Sequence, residues 1–145
     1  MKRLVFLFFL PFFLTGCAAI VGSEEEAVYI NSTPTNIAFV IADSVGNIVA
    51  KGHTPQSVVL KKADGSYIGQ RAYTLMVTHE GYYSTIIPLE YRHSYWYTFG
   101  NLPLFGIPGW FIVDPYSGGM YTFKTPRVNV VMRPCQPGPF RYMCT

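Results

Sequence analysis

Charge is scarce in this chain. Asp, Glu, Lys and Arg supply 13% of its 145 residues, and Glu24-Glu25-Glu26 is its only run of three like charges. The formal net charge is +3, of which Lys2 and Arg3 at the extreme N-terminus contribute two. No basic patch is left to grip a phosphate backbone, so nucleic acid is not an expected partner. Catalytic signatures are missing as well. His53, His79 and His93 lie far apart without H-x-x-x-H spacing, and the sequence holds no G-x-S-x-G elbow, P-loop or G-x-G-x-x-G. Of the scattered acids Asp43, Asp64, Glu80, Glu90 and Asp114, the first two sit where turns need a carboxylate. Neither an enzyme nor a metal site is expected, and no cofactor is implied.

Nor does the chain look disordered. Half of it is hydrophobic and 17% is aromatic, more than enough apolar surface to close a core, and its length suits one domain. An uninterrupted membrane span is missing. The first apolar run, Leu4 to Leu14, covers about 11 residues and contains Pro11, whereas a helix crossing hydrocarbon needs roughly 20.

What is there begins with that run. Lys2 and Arg3 precede it as a basic n-region, the layout of a secretory signal. It ends in Leu14-Thr15-Gly16-Cys17, which resembles the bacterial lipobox, small residues ahead of an obligatory cysteine. The resemblance implies that Cys17 is diacylated on its thiol, that the chain is cut between Gly16 and Cys17, and that the new amino group is acylated. Covalent lipid on Cys17 is then the only added group. Three acyl chains exceed the two signals stable anchoring requires, at about 0.8 kcal/mol per buried methylene. Residue Ala18 is not the aspartate that resembles an inner-membrane retention signal, so in a Gram-negative host the outer membrane is favoured, with the rest of the chain facing the periplasm.

Three cysteines are present. Lipid on Cys17 leaves Cys135 and Cys144, and in an oxidising compartment a disulfide is expected between them. Free thiols or metal ligands are the alternatives, although no nearby histidine completes a zinc spacing.

From Ala27 the pattern is one of short strands and turns. Val28 and Ile30 flank Tyr29; Ile37, Phe39 and Ile41 alternate with Ala38 and Val40; Gly46-Asn47 separates two apolar runs as a hairpin turn would. Further strands are expected over 48–51, 56–60, 72–79 and 84–89. This predicts a mainly β fold, a small antiparallel β-sandwich-like module followed by an apolar Gly/Pro-rich segment and a short C-terminal strand. Three pieces of the module, Ser32-Thr33-Pro34, Gly52-His53-Thr54-Pro55 and the strand from Tyr73 to Gly81-Tyr82, resemble in order and spacing the landmarks of the PEGA domain. Thr35-Asn36-Ile37 stands where that family has Glu-Gly-Ala. The likeness implies a surface β module over 28–90 and brings no catalytic residue with it.

The apolar stretch from Gly100 to Phe123 resembles the segment that follows such a module in a group of small bacterial lipoproteins. Four readings of it compete. A membrane span suffers from the two prolines and three glycines between Ser94 and Val113, whose freed backbone groups lipid cannot satisfy. A packed cover would close one side of the module with Leu102, Leu104, Phe105, Trp110 and Phe111. A membrane-facing flap would place Trp96 and Trp110 at the headgroups. A docking surface would meet another envelope protein. Trp96, Phe105, Trp110 and Phe111 are therefore the candidate interaction or membrane-facing residues. The aromatic run Tyr91 to Tyr97 reads as strand positions alternating between core and surface, with room for a turn or two of helix.

The expected organisation is a signal peptide at 1–16, a lipidated N-terminus and spacer at 17–27, the β module at 28–90, the aromatic and Gly/Pro-rich segment with a closing strand of the same domain at 91–132, and a Cys-bridged tail at 133–145. The expected role is that of a lipid-anchored envelope protein that acts structurally or by binding another envelope protein. The alternative is a phage- or plasmid-type accessory lipoprotein that occludes or modifies a membrane partner.

Overall fold

Period-two alternation dictates which side chains reach the core. The computed structural model describes residues 23–95, 97, 99, 116, 118–136 and 144. Along β1 (Glu25–Thr33), Val28, Ile30 and Ser32 are buried while Tyr29 is exposed. In β2 (Ala38–Asp43) Phe39 and Ile41 go inward, as do Tyr73, Leu75 and Val77 in β5 (Tyr73–Thr78) and Val128 and Val130 in β9 (Arg127–Val131). Successive strand side chains point to opposite faces, so one apolar residue in two suffices to cover one side of a sheet. β3 (Ile48–His53), β4 (Gln56–Lys61) and β6 (Thr85–Leu89) complete the main strands. The fold is mainly β, as the alternation predicted.

The described residues fall into two compact units. The larger holds those of Glu25–Lys61, Arg71–Arg92 and Phe123–Thr145, the smaller those of Met1–Glu24, Lys62–Gln70 and His93–Thr122. Two sheets make up the larger unit, one in the order β4-β1-β9 and one in the order β3-β2-β5-β6. Their inner faces share one apolar cluster that includes Val28, Ile30, Phe39, Ile41, Leu75, Val77, Val128 and Val130. This is a sandwich around one core. A short pair, β7 (Tyr91–His93) with β8 (Tyr121–Phe123), forms a third sheet, and Tyr91 stacks on the buried Phe123 with ring centroids 4.4 Å apart.

The strands of the module pair antiparallel, as expected, while the C-terminal strand adds a parallel pairing. β9 runs parallel to β1, with Ile30 opposite Val128 and Ser32 opposite Val130. Hairpin-linked neighbours must be antiparallel; β9 arrives after a long connection and is free to align the other way. The β2–β3 hairpin shows the local logic. Asp43 Oδ1 accepts the N–H groups of Val45 at 3.0 Å and Asn47 at 2.9 Å, and Gly46 takes φ +90°, which only a residue without Cβ adopts cheaply. Those turn bonds to the ionised form hold the Asp43 carboxyl below its usual value.

In the smaller unit, the backbone N–H of Lys62 donates to Glu24 O at 2.9 Å. A Cβ on Gly118, in the 3-10 turn Gly118–Met120, would lie 3.0 Å from Glu24 Cα, so a glycine is needed for this close approach.

Candidate functional site

Gly16, Cys17, Trp96, Phe105, Trp110 and Phe111, and with them the Gly100 to Val113 stretch, lie outside the described residues. Of the residues singled out in the sequence, Cys135 and Cys144 are placed. They form a disulfide with Cα atoms 6.1 Å apart across a separation of nine residues. The bridged tail has a seat: Cys135 N–H donates to Gly81 O at 2.9 Å and Tyr83 N–H to Arg133 O at 3.0 Å. Tyr82 bridges Pro134, and Tyr83 bridges Cys144. Nothing in the cysteine count pointed to residues 81–83 as the tail's partner.

Beside the tail opens a groove of about 590 Å³ lined by Tyr83, Ser84, Thr85, Ile86, Val131 and Arg133. Its floor comes from β6 and from the end of β9, each an outer strand of its sheet. One guanidinium, three hydroxyl-bearing side chains and two aliphatic ones suit contact with a polar, partly apolar partner. They supply no nucleophile with a base beside it. These residues lie far apart in sequence and carry no motif, so sequence reasoning had no signal for them.

Two turns noted in the sequence, Ser32-Thr33-Pro34 and Gly52-His53-Thr54-Pro55, meet in space. Thr54 and Ser32, each 2% exposed, join their hydroxyls at 2.5 Å. Ser32 Oγ donates to Pro34 O at 2.6 Å, and Thr54 Oγ1 accepts Ile37 N–H at 3.1 Å. A hydroxyl has one hydrogen to give. With that of Ser32 committed to Pro34, Thr54 must donate to Ser32, giving a relay from the Ile37 amide through Thr54 and Ser32 to the Pro34 carbonyl. The backbone closes the same junction, Thr54 N–H to Ile37 O at 3.0 Å and Asn36 N–H to Thr54 O at 2.8 Å. Gly52 admits no larger residue without movement, since a Cβ there would stand 3.1 Å from Phe39 Cζ and 2.0 Å from Gln56 Oε1. Asn36 has φ +61°, and asparagine is among the few non-glycine residues that take this conformation readily. The junction is structural, for its hydroxyls are sealed from solvent.

At one end of the sandwich, Tyr73 Oη donates to Lys61 O at 2.8 Å and a Glu26 carboxylate oxygen accepts Phe123 N–H at 3.2 Å. Burial pushes the phenols of Tyr73 and, far more strongly, Tyr91 upward. In the smaller unit His93 sits 5.9 Å from the ring of Tyr121 and 6.2 Å from that of Tyr97. The strand in the aromatic run ends at His93, and Tyr95, Tyr97 and Phe99 each have helical backbone.

Asp43 and Asp64 behave as turn residues, and Asp114 lies outside the described residues. Asp64 Oδ1 accepts both the N–H and the hydroxyl of Ser66, at 2.8 and 2.6 Å, and Asp43 closes its hairpin. Glu90 meets Lys124 Nζ at 2.7 Å with both side chains largely in solvent, and that ammonium holds the Glu90 carboxyl below its usual value. Among the described residues no three His, Cys, Asp or Glu side chains gather as ligands for one metal ion, and no helix is long and apolar enough to cross a membrane. Compared with protein-family models, with curated proteins and with solved structures, the chain matches none.

Proposed function

We propose that this chain is a lipid-anchored cell-envelope protein, held at the outer membrane through Cys17 and presenting a β-sandwich module to the periplasm for a structural or protein-binding role. The observation that carries the reading is the N-terminus itself: Lys2-Arg3, a short apolar run and Leu14-Thr15-Gly16-Cys17 in uninterrupted order. The Cys135–Cys144 disulfide supports it, because such bonds persist outside the reducing cytosol. So does the groove along β6 and β9, whose lining suits binding. The seat of Asn36 at the PEGA glycine position supports kinship with surface modules of that kind. Fractionation tests the proposal. The native chain is expected in outer-membrane fractions at mature size, and Cys17→Ser is expected to remain an uncut precursor with the inner membrane. Mature-size protein in the soluble fraction from either would overturn it.

A further inference from the structure

The loop that leaves β4 and returns at Gln70 is built with unusual care for a surface connection. Ala63 bridges Gln70 at its base. Inside, Asp64 N–H donates to Gly69 O at 3.2 Å and Gly69 N–H to Ser66 O at 3.0 Å, while the Asp64 carboxylate turns inward to the two Ser66 donors. Gly65 takes φ +87°. A Cβ on Gly69 would stand 1.8 Å from Asp64 Oδ1 and 2.1 Å from Ser66 Oγ. So ordered a loop holds its tip in one conformation, and the tip is Tyr67-Ile68.

That tip is apolar and out in solvent. Tyr67 is 51% exposed and Ile68 53%. The ring of Tyr67 rests edge-on against Tyr116, itself 55% exposed, with centroids 5.4 Å apart. Ile68 has φ +58°. For a β-branched residue the left-handed region is a true outlier, whereas glycine or asparagine takes it at little cost. Strain of this kind persists only where the surrounding structure over-determines it, and it clusters at functional sites. Residues 65–70 bear no charge.

Covalent geometry restricts what the tip can meet. Glu24, in the smaller unit, has its carbonyl bonded by Lys62 at the foot of this same loop, and Gly118 packs closely against its backbone. Cys17 is seven residues earlier, a reach of at most about 25 Å at roughly 3.5 Å per residue. A lipidated Cys17 thus keeps the foot of the loop within that distance of the bilayer surface. Three half-exposed side chains fall far below the ~800 Å² per partner of a stable protein interface. They suit a surface that already holds the chain, and tyrosine is the side chain that settles at headgroup level, with an apolar ring and a wet hydroxyl.

We propose that Tyr67, Ile68 and Tyr116 form a membrane-docking tip that enters the headgroup region of the bilayer in which the chain is anchored. This rests on the lipid-anchor reading above and adds to it a second, non-covalent contact that sets how the smaller unit stands on the membrane.

The test uses the full-length lipidated protein in phosphatidylethanolamine–phosphatidylglycerol vesicles, with an environment-sensitive NBD label on Ile68→Cys or, for reference, on Val59→Cys, which is 60% exposed on β4. At position 68 the expected result is blue-shifted emission, quenching by doxyl-labelled lipid and several-fold weaker quenching by aqueous iodide than at position 59. Equal iodide quenching at the two positions overturns the proposal. Iodide shielding without doxyl quenching overturns it too, because the label is then covered by protein and not by lipid. The unlabelled protein gives an independent reading: photoactivatable lipid should crosslink to peptides containing Tyr67, Ile68 or Tyr116, and their absence among the crosslinks counts against the tip. The mass of the N-terminal peptide from the same vesicles separates the two levels. An acylated Cys17 with a solvent-facing tip defeats the docking proposal alone, while an unacylated Cys17 removes the tether and defeats both.

Discussion

Replacing Thr54 by valine keeps the shape of a buried side chain and deletes one oxygen. That oxygen is the middle of the relay joining the two turns: it accepts Ile37 N–H and donates to Ser32, which donates to Pro34 O. Thr54 and Ser32 are each 2% exposed, so water cannot replace what is lost. Leaving the Ile37 amide buried without its side-chain acceptor costs about 1–3 kcal/mol, and the bond lost to Ser32 adds about 1. Thr54→Val should therefore destabilise the protein by roughly 2–4 kcal/mol, whereas Thr54→Ser, which keeps the oxygen and loses one methyl, should cost about 1. Ser32→Ala removes the next member of the same relay. In a double-mutant cycle the two changes should be non-additive by about 1 kcal/mol or more, as expected of groups in one hydrogen-bond network. Denaturant melts followed by far-ultraviolet circular dichroism read the native protein and its four variants, with stability changes appearing as midpoint shifts at constant slope. A Thr54→Val cost within about 0.5 kcal/mol, the range of an ordinary surface change, together with additivity, would refute the relay.

Other consequences can be measured on the same material. Reducing Cys135–Cys144 should lower the melting temperature, by an amount matching about 2–3 kcal/mol in the loop-entropy account of a short bridge, and an unchanged melt would show that the tail holds without it. Ile68→Asn should stabilise the fold by about 0.5–1 kcal/mol, since it relieves a left-handed β-branched residue while losing little buried surface; destabilisation by more than 1 would show that Ile68 packs more than it strains. In alkali, Tyr91 and Tyr73 keep their protons in the folded state above the pH at which they ionise in the unfolded chain. Their contribution is whole below about pH 10, the ordinary tyrosine value, and is lost as pH rises from there toward their folded values. Stability should decline above pH 10 more steeply in the native chain than in Tyr91→Phe, and parallel pH curves would contradict the assigned burial.

Much of the sandwich was legible because its cause is local. Val28 and Ile30, Ile37 and Phe39 and Ile41, and Leu75 with Val77 alternate with a period that only a strand converts into one buried face. Asp43 and Gly46 announced their turn by the two properties it uses, a carboxylate acceptor and freedom at positive φ. The cysteine pair followed from parity once Cys17 was assigned to lipid. What escaped is what depends on distant partners. No periodicity in Arg127–Val131 says that β9 will lie parallel to β1. No motif ties Ser32 to Thr54 across a separation of 22 residues, even though each piece was noticed as a turn. The groove joins Ile86 to Val131 and Arg133, residues brought together only when two sheets pack. Ile68 was invisible for the opposite reason: its type argues against the conformation it adopts, so sequence rules placed an unremarked strand former where the structure has a left-handed tip.

The claim on which the rest depends is that Cys17 is the mature N-terminus and carries lipid. Intact mass spectrometry of the protein extracted from envelope membranes, followed by fragmentation of its first peptide, measures this directly. The chain is expected to begin at Cys17, to lack Met1 to Gly16, and to bear a diacylglyceryl group on the thiol and a third acyl group on the new amine. A chain that retains Met1 to Gly16, or one that begins elsewhere with an unmodified Cys17 thiol, would contradict it.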